Sequence, residues 1–139
     1  MNVGAKSITD YGKYFQWGDT QGFTTDKVGT GEGKKKFATD WSDYKFMTNG
    51  GETFTKYNET DNKTVLDLED DAVHTAWGGS WRMPTNEEFK KLGNAVTTKW
   101  TTIDGINGIL CIDKKDISKT LFFPACGCAY DGSIGGVGN

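Results

Sequence analysis

The segment Trp77-Gly78-Gly79-Ser80-Trp81-Arg82-Met83-Pro84-Thr85-Asn86-Glu87-Glu88-Phe89 constrains this chain more than any other. It gathers two tryptophans, the only arginine and one of the two prolines around a helix start. Pro84 holds Met83 extended. Thr85 offers its hydroxyl to the amide of Glu88, and Glu88 reaches back to the amide of Thr85, which is a capping box. An extended segment therefore turns into a helix here. Arg82 stands alone among 15 lysines, so the planar fork of a guanidinium is expected to hold a fixed polar network. The segment reads as a structural hub. Trp77, Trp81, Arg82, Thr85, Glu88 and Phe89, with Trp100 beyond them, are assigned as scaffold.

Other elements follow from pattern. Leu66 to Trp77 reads as one helix, capped by Asp67, with Glu69, Asp70 and Asp71 in the first turn where the helix dipole favours anions. Val73, Ala76 and Trp77 fall on one face of it at three- and four-residue spacing. A second helix runs from about Asn86 to Leu92, with Phe89 and Leu92 inward and Gly93 as its stop. Residues 11 to 18 read as a strand around Tyr14, Phe15 and Trp17. Residues 19 to 53 are polar and rich in glycine and lysine, yet Phe23, Phe37, Trp41, Tyr44 and Phe46 argue that they pack against the body. From Val96 the period changes. Residues 96 to 102 form a strand, Asp104-Gly105 and Asn107-Gly108 mark turns, and the apolar run Ile109 to Ile112 suits a central strand. Leu121 to Pro124 returns as the next strand, and Pro124 lies at its end or edge. The glycine-rich tail from Gly127 is mobile unless something covers it. The order predicts an α+β chain with two short helices beside an antiparallel sheet and long irregular loops.

The bulk numbers exclude several functions. A net charge of -3 gives no basic footprint for nucleic acid and no polybasic membrane patch. No stretch approaches the roughly 20 apolar residues of a membrane helix, so this segment does not insert into a membrane. No signal peptide is visible. Lys34-Lys35-Lys36 reads as a solvated loop. The three cysteines, Cys111, Cys126 and Cys128, are an odd count with no zinc-knuckle spacing, and read as free thiols. His74 is the only histidine and sits mid-helix, so no nucleophilic triad is visible. Gly29, Gly31 and Gly33 do not link a strand to a helix as a phosphate loop does. No cofactor is called for, with calcium as the exception. Asp67, Asp70 and Asp71, beside Glu69, are calcium candidates, although the helix N-terminus explains these acids without a metal.

The hub also carries a resemblance. Gly-Gly-Ser-Trp-Arg-Met-Pro-Thr-x-x-Glu-Phe, residues 78 to 89, resembles the Gly-x-Arg-Leu-Pro-Thr-x-x-Glu-Trp signature of the formylglycine-generating-enzyme branch of C-type-lectin-like folds. It is closer still to the Fibrobacter succinogenes major paralogous domain family, found in surface proteins of gut Bacteroidetes. Matching pieces come in the family's order: Asn2-Val3-Gly4-Ala5, Tyr11-Gly12 through Thr20, Lys56-Tyr57-Asn58, Leu66 through Ala72, and Leu121 through Ala125. The resemblance implies one C-type-lectin-like domain over residues 1–139, trimmed at both ends, and an extracellular or surface location.

It also implies a function. Members of this fold display recognition on loops and C-terminal strands, and relatives diversified by retroelements vary in the C-terminal segment. The expected activity is non-enzymatic, adhesin-like binding of a glycan or protein ligand. Cys126, Cys128, Tyr130, Asp131 and Ser133 are the implied contacts, with help from Trp41 and Tyr44. Two alternatives stay open. A formylglycine-generating-type oxidase would need paired reactive cysteines, whose flanking motif is missing here. A structural unit of a surface assembly would use the aromatics of residues 37 to 46 as a partner interface.

Overall fold

The capping box forms at Thr85. The amide of Glu88 donates to Thr85 Oγ1 at 3.3 Å and the amide of Thr85 donates to Glu88 Oε2 at 2.8 Å. In the computed structural model of the chain, which describes residues 1–38, 41–48 and 51–139, this box starts the longer of two helices. Parts of the 19 to 53 and 37 to 46 stretches, at 39–40 and 49–50, lie outside the described residues. The elements are β1 (Met47–Thr48), β2 (Thr53–Phe54), α1 (Ala72–Trp77), α2 (Asn86–Ala95), β3 (Val96–Ile103), β4 (Ile106–Asp113), β5 (Thr120–Pro124), β6 (Cys128–Tyr130) and β7 (Ser133–Gly135). The fold is α+β, with antiparallel sheets.

The chain forms two compact units, one of Met1–Gly12, Pro84–Gly127 and Gly136–Asn139, the other of Lys13–Met83 and Cys128–Gly135. The hub is therefore divided between Met83 and Pro84. In the first unit α2 runs past Gly93 to Ala95 and leads directly into the sheet β3-β4-β5. Gly93 does not stop it, because this glycine takes no left-handed conformation. The stop is Val96, which turns to an extended backbone while its amide still donates to Leu92 O. Phe89, expected inward, is half exposed.

β3 and β4 pair without interruption from Val96↔Asp113 to Ile103↔Ile106. Their connection is Asp104-Gly105, with φ of 48° and 78°, the two-residue turn whose twist matches the strands. Asn107-Gly108 is not a turn but the body of β4. The apolar run does make β4 the central strand. Pro124 ends the edge strand β5, where its missing N–H removes nothing from the ladder. Val96, Cys111 and Phe122 are the buried hydrophobic residues of the sheet.

The second unit is built on aromatic packing rather than on regular elements. Tyr14, Val28 and Phe37 form a buried cluster with Phe23, Ala129 and Ile134 against it. A second chain of edge-to-face rings links Trp41, Tyr44, Phe46, Phe54 and Tyr57. Residues 11 to 18 do not form the expected strand: Tyr14 exchanges two backbone hydrogen bonds with Phe23 in an isolated bridge. Residues 66 to 77 are not one helix either. Leu68–Asp70 is a single 3₁₀ turn, Asp71 returns to an extended backbone, and α1 begins at Ala72. Asp71, not Asp67, supplies the side-chain cap: its Oδ1 accepts from the amides of Val73 (2.8 Å) and His74 (3.0 Å). Aspartate favours such caps over helix interiors because its carboxylate competes for nearby amides. The buried residue of α1 is Ala72, while Ala76 and Trp77 are exposed.

Candidate functional site

The glycine-rich tail is a hairpin. β6 and β7 pair as Cys128↔Gly135, Ala129↔Ile134 and Tyr130↔Ser133. Side chains alternate across the pleat. Ala129 and Ile134 lie against the Tyr14–Val28–Phe37 cluster. Cys128, Tyr130 and Ser133 consequently share the opposite, solvent-facing side. Tyr130 is 53% exposed, and its ring passes beside Gly135, whose added Cβ would meet Tyr130 Cε1 at 3.8 Å. Ser133 Oγ donates to Tyr130 O at 3.2 Å. The turn is Asp131-Gly132, with φ of 45° and 77°, the same chemistry as Asp104-Gly105.

The tip of this hairpin is pinned. The amide of Asp131 donates to Phe37 O at 2.8 Å and that of Gly132 to Lys36 O at 2.6 Å. Lys36 Nζ pairs with Asp131 Oδ1 at 3.0 Å. Gly132 lies so close to Thr30 that a Cβ would come within 2.7 Å of its methyl. Lysines 35 and 36 are thus not simply solvated. Lys35 Nζ bonds Asp43 Oδ2 (3.0 Å) and Asp43 O (3.1 Å), and Gln16 donates to Asp43 Oδ1 at 3.0 Å. Partial burial pushes the Asp43 carboxyl up, but the bonds from Lys35 and Gln16 outweigh it and hold it below the usual carboxylate range. One short strand of chain, 35 to 37, therefore ties the 41–44 loop on one side and the hairpin on the other.

Trp41 and Tyr44 come together, 5.4 Å between ring centroids, but in different environments. Trp41 is 49% exposed, at φ 63°, and faces Phe54, which is also half exposed. Tyr44 is buried and packs on Phe46 and Phe54. Burial, then the nearby Tyr57 and Asp70, push its phenol pKa up. Its assignment as a ligand contact is corrected to a core position supporting Trp41.

Two of the sequence pieces, Lys56-Tyr57-Asn58 and Leu66 through Ala72, meet in an ionic cluster. Lys56 Nζ lies 2.5 Å from Asp70 Oδ2, 2.8 Å from Asp67 Oδ2 and 3.2 Å from Glu69 Oε1. Lys45 bonds Asp70 Oδ1 at 2.8 Å and Lys63 bonds Asp67 Oδ2 at 2.6 Å. Tyr57 Oη donates to Asp70 at 2.7 Å and accepts from the amide of Asp67 at 3.0 Å. Burial of Asp70 raises its pKa, but Lys45, Lys56 and Tyr57 outweigh that and hold it far below the carboxylate range. Bonds to Asp67 and Asp70 push the Lys56 ammonium up. The carboxylates of Asp67, Glu69 and Asp70 are close enough to share a cation, and Lys56 is the cation they share. Asp71 stands apart from the calcium set: besides α1, its Oδ2 accepts from the amide of Met83 at 2.8 Å.

The remaining assigned residues are scattered. Cys126 belongs to the first unit and Cys128 to the second. Cys111 is buried in β4. Trp77 and Trp81 pack edge to face, 5.3 Å between centroids, at the surface: Trp81 is 61% exposed. His74 Nδ1 lies 3.1 Å from Trp81 O, joining α1 to this pair. Arg82 donates to Met83 O at 2.9 Å and is itself exposed. Trp77, Trp81, Phe89 and Trp100 are thus surface residues rather than core. Sequence reasoning missed Lys36, Lys45, Lys56 and Tyr57, which hold the site loops. No single residue flags them, since the partners that place their side chains lie 10 to 95 positions away along the chain. No helix among the described residues is long and apolar enough to cross a membrane. Comparison with protein-family models, with curated proteins and with solved structures returns no match.

Proposed function

We propose that this chain is a non-enzymatic module, of C-type-lectin-like kind and displayed outside the cell, that binds a glycan or protein through the outward face of the β6–β7 hairpin. The observation that carries the reading is Tyr130: a half-exposed ring beside Gly135, on a hairpin fixed by two backbone hydrogen bonds and an ion pair. A rigid aromatic loses little conformational freedom on binding, and small neighbours such as Ser133 and Gly135 leave its face open. Loops held on a stable body are where recognition residues concentrate. Cys128 and Ser133 lie on the same face of the hairpin as the ring and Asp131 lies in its turn, while Trp41 and Phe54 offer a second aromatic surface.

The test is an array of glycans and cell-surface proteins probed with the purified chain, with and without calcium, beside Tyr130→Ala. A specific hit lost in Tyr130→Ala, with unfolding unchanged, is the expected result. A hit that survives the substitution would move the site away from the hairpin. No hit from a folded sample would end the binding reading.

A further inference from the structure

The outer edge of β3 is long, uncovered and self-complementary. The two-residue turn at Asp104-Gly105 makes Ile103↔Ile106 a hydrogen-bonded pair, and such pairs alternate along an antiparallel ladder. Lys114 N–H donating to Ala95 O at 3.0 Å continues the same phase. Lys99, Thr101 and Ile103 therefore spend their backbone groups on β4. Thr98, Trp100 and Thr102 turn theirs outward, and among the described residues no backbone bond meets them. Thr98, Lys99, Trp100 and Thr102 are all exposed. No bulge interrupts the eight pairs of β3 with β4. The opposite edge of the sheet differs: β5 is shorter and has Pro124 at an outward position.

A two-fold axis perpendicular to a sheet pairs only residues on the same face, so symmetric registers are limited. Centring the axis on Lys99 sets two ammonium groups opposite each other. Centring it on Trp100 sets Trp100 against its copy, Thr98 against Thr102, and Lys99 against Thr101. All three outward residues then become hydrogen-bonded pairs. Threonine pairs and aromatic pairs are favourable cross-strand neighbours. The same register joins two copies of the half-exposed row Trp100–Ile109 on one face.

We propose that a second copy of this chain occupies the β3 edge, pairing antiparallel about Trp100 to make a continuous six-stranded sheet. The occupant is argued from the strand's own chemistry: a single charge, Lys99, that the two-fold keeps away from its copy, and a hydroxyl pattern symmetric about the axis. This does not depend on what the hairpin binds.

The test is sedimentation velocity of the full chain over a range of concentrations, with two variants. Thr98→Pro removes an outward N–H and no bond to β4. Trp100→Lys places two ammonium groups on the axis. The expected result is a dimer that grows with concentration, as small interfaces below about 1,200 Å² give. Its association should weaken at least about tenfold in both variants, which corresponds to about 1.4 kcal/mol. Circular dichroism checks folding, and Trp100→Lys serves should Thr98→Pro not fold. A wild-type chain that stays monomeric throughout would overturn the proposal. So would a dimer that folded Trp100→Lys leaves intact, since another surface would then be responsible.

Discussion

Lys56 and Asp70 hold each other 2.5 Å apart, at the centre of a cluster in which one buried carboxylate takes two ammonium groups and a phenol. Asp70 is only 6% exposed. It joins the 3₁₀ turn before α1 to Lys45 near β1 and to Lys56-Tyr57 beyond β2. Few regular elements connect these stretches, so the carboxylate takes the place of a sheet ladder.

Asp70→Asn should therefore cost stability well beyond an ordinary surface change. Asparagine keeps the shape but leaves Lys45 and Lys56 facing a neutral amide that cannot accept at both ends. A loss of about 2 kcal/mol is expected, as for hydrogen bonds to charged groups. Glu69→Gln is the control, because Glu69 is mostly solvated and exposed ion pairs contribute about 0–1 kcal/mol. Urea unfolding of the two variants checks this. Equal midpoints would show that the cluster is incidental.

The same groups set the pH response. Asp43, Asp67 and Asp70 are all held below their ordinary range in the folded chain. A carboxyl depressed on folding contributes stability above its unfolded value, about 4, and loses it as pH falls through the folded value. Lys56 is raised, so its contribution is complete below about 10.4 and is lost only as pH rises through its higher folded value. Stability from these groups should be flat from about pH 5 to 10 and fall on acidification below about 4. Urea midpoints at several pH values would show the limb, and Asp70→Asn should make it shallower.

The legible parts of this fold share a cause. The capping box at Thr85 and Glu88, the turn at Asp104-Gly105 and the apolar run in β4 are set by residues within a few positions of each other. Asp131-Gly132 carries the same local signal as Asp104-Gly105, and the hairpin could have been read from it. The Leu66 to Trp77 helix failed for a local reason too: adjacent aspartates compete for caps, and Asp71 won the amides that a continuous helix would have used. The site's supports were not legible. Lys36 finds Asp131, and Lys45 finds Asp70, only once the chain is folded. Exposure of Trp81 and Trp100 escaped for the opposite reason, since large aromatic residues are ordinarily assigned to cores.

Asp71 offers a sharper separation of roles. It is 3% exposed and accepts from three backbone amides, Val73 and His74 on Oδ1 and Met83 on Oδ2. Asp71→Ala orphans all three and should cost about 3 kcal/mol, combining a lost cap with an unpaired amide. Asp71→Asn can keep the two cap bonds but turns an NH₂ toward Met83, so about half that loss is expected. Thermal unfolding of the pair measures the difference. Equal losses would mean that the two cap bonds contribute nothing beyond the Met83 bond, and an unchanged Asp71→Asn would mean that the Met83 bond contributes nothing.

Two glycine substitutions should move stability in opposite directions. Gly93 lies in α2 with open space where a Cβ would go. Gly93→Ala should stabilise by about 1 kcal/mol, since alanine loses less backbone freedom in a helix. Gly108 sits in the central strand, buried, where an added Cβ would come within 2.3 Å of Phe123 O and 2.5 Å of the Phe122 ring. Its backbone is an ordinary strand, so the penalty is purely steric. The carbonyl belongs to the β4–β5 ladder and can withdraw only by disturbing Ile109↔Phe123. Gly108→Ala should cost about 3 kcal/mol, the upper part of the overpacking range. Denaturant midpoints for both variants give the answer: a tolerated Gly108→Ala would mean that β5 can slide outward, and that the sheet is held less tightly than its register implies.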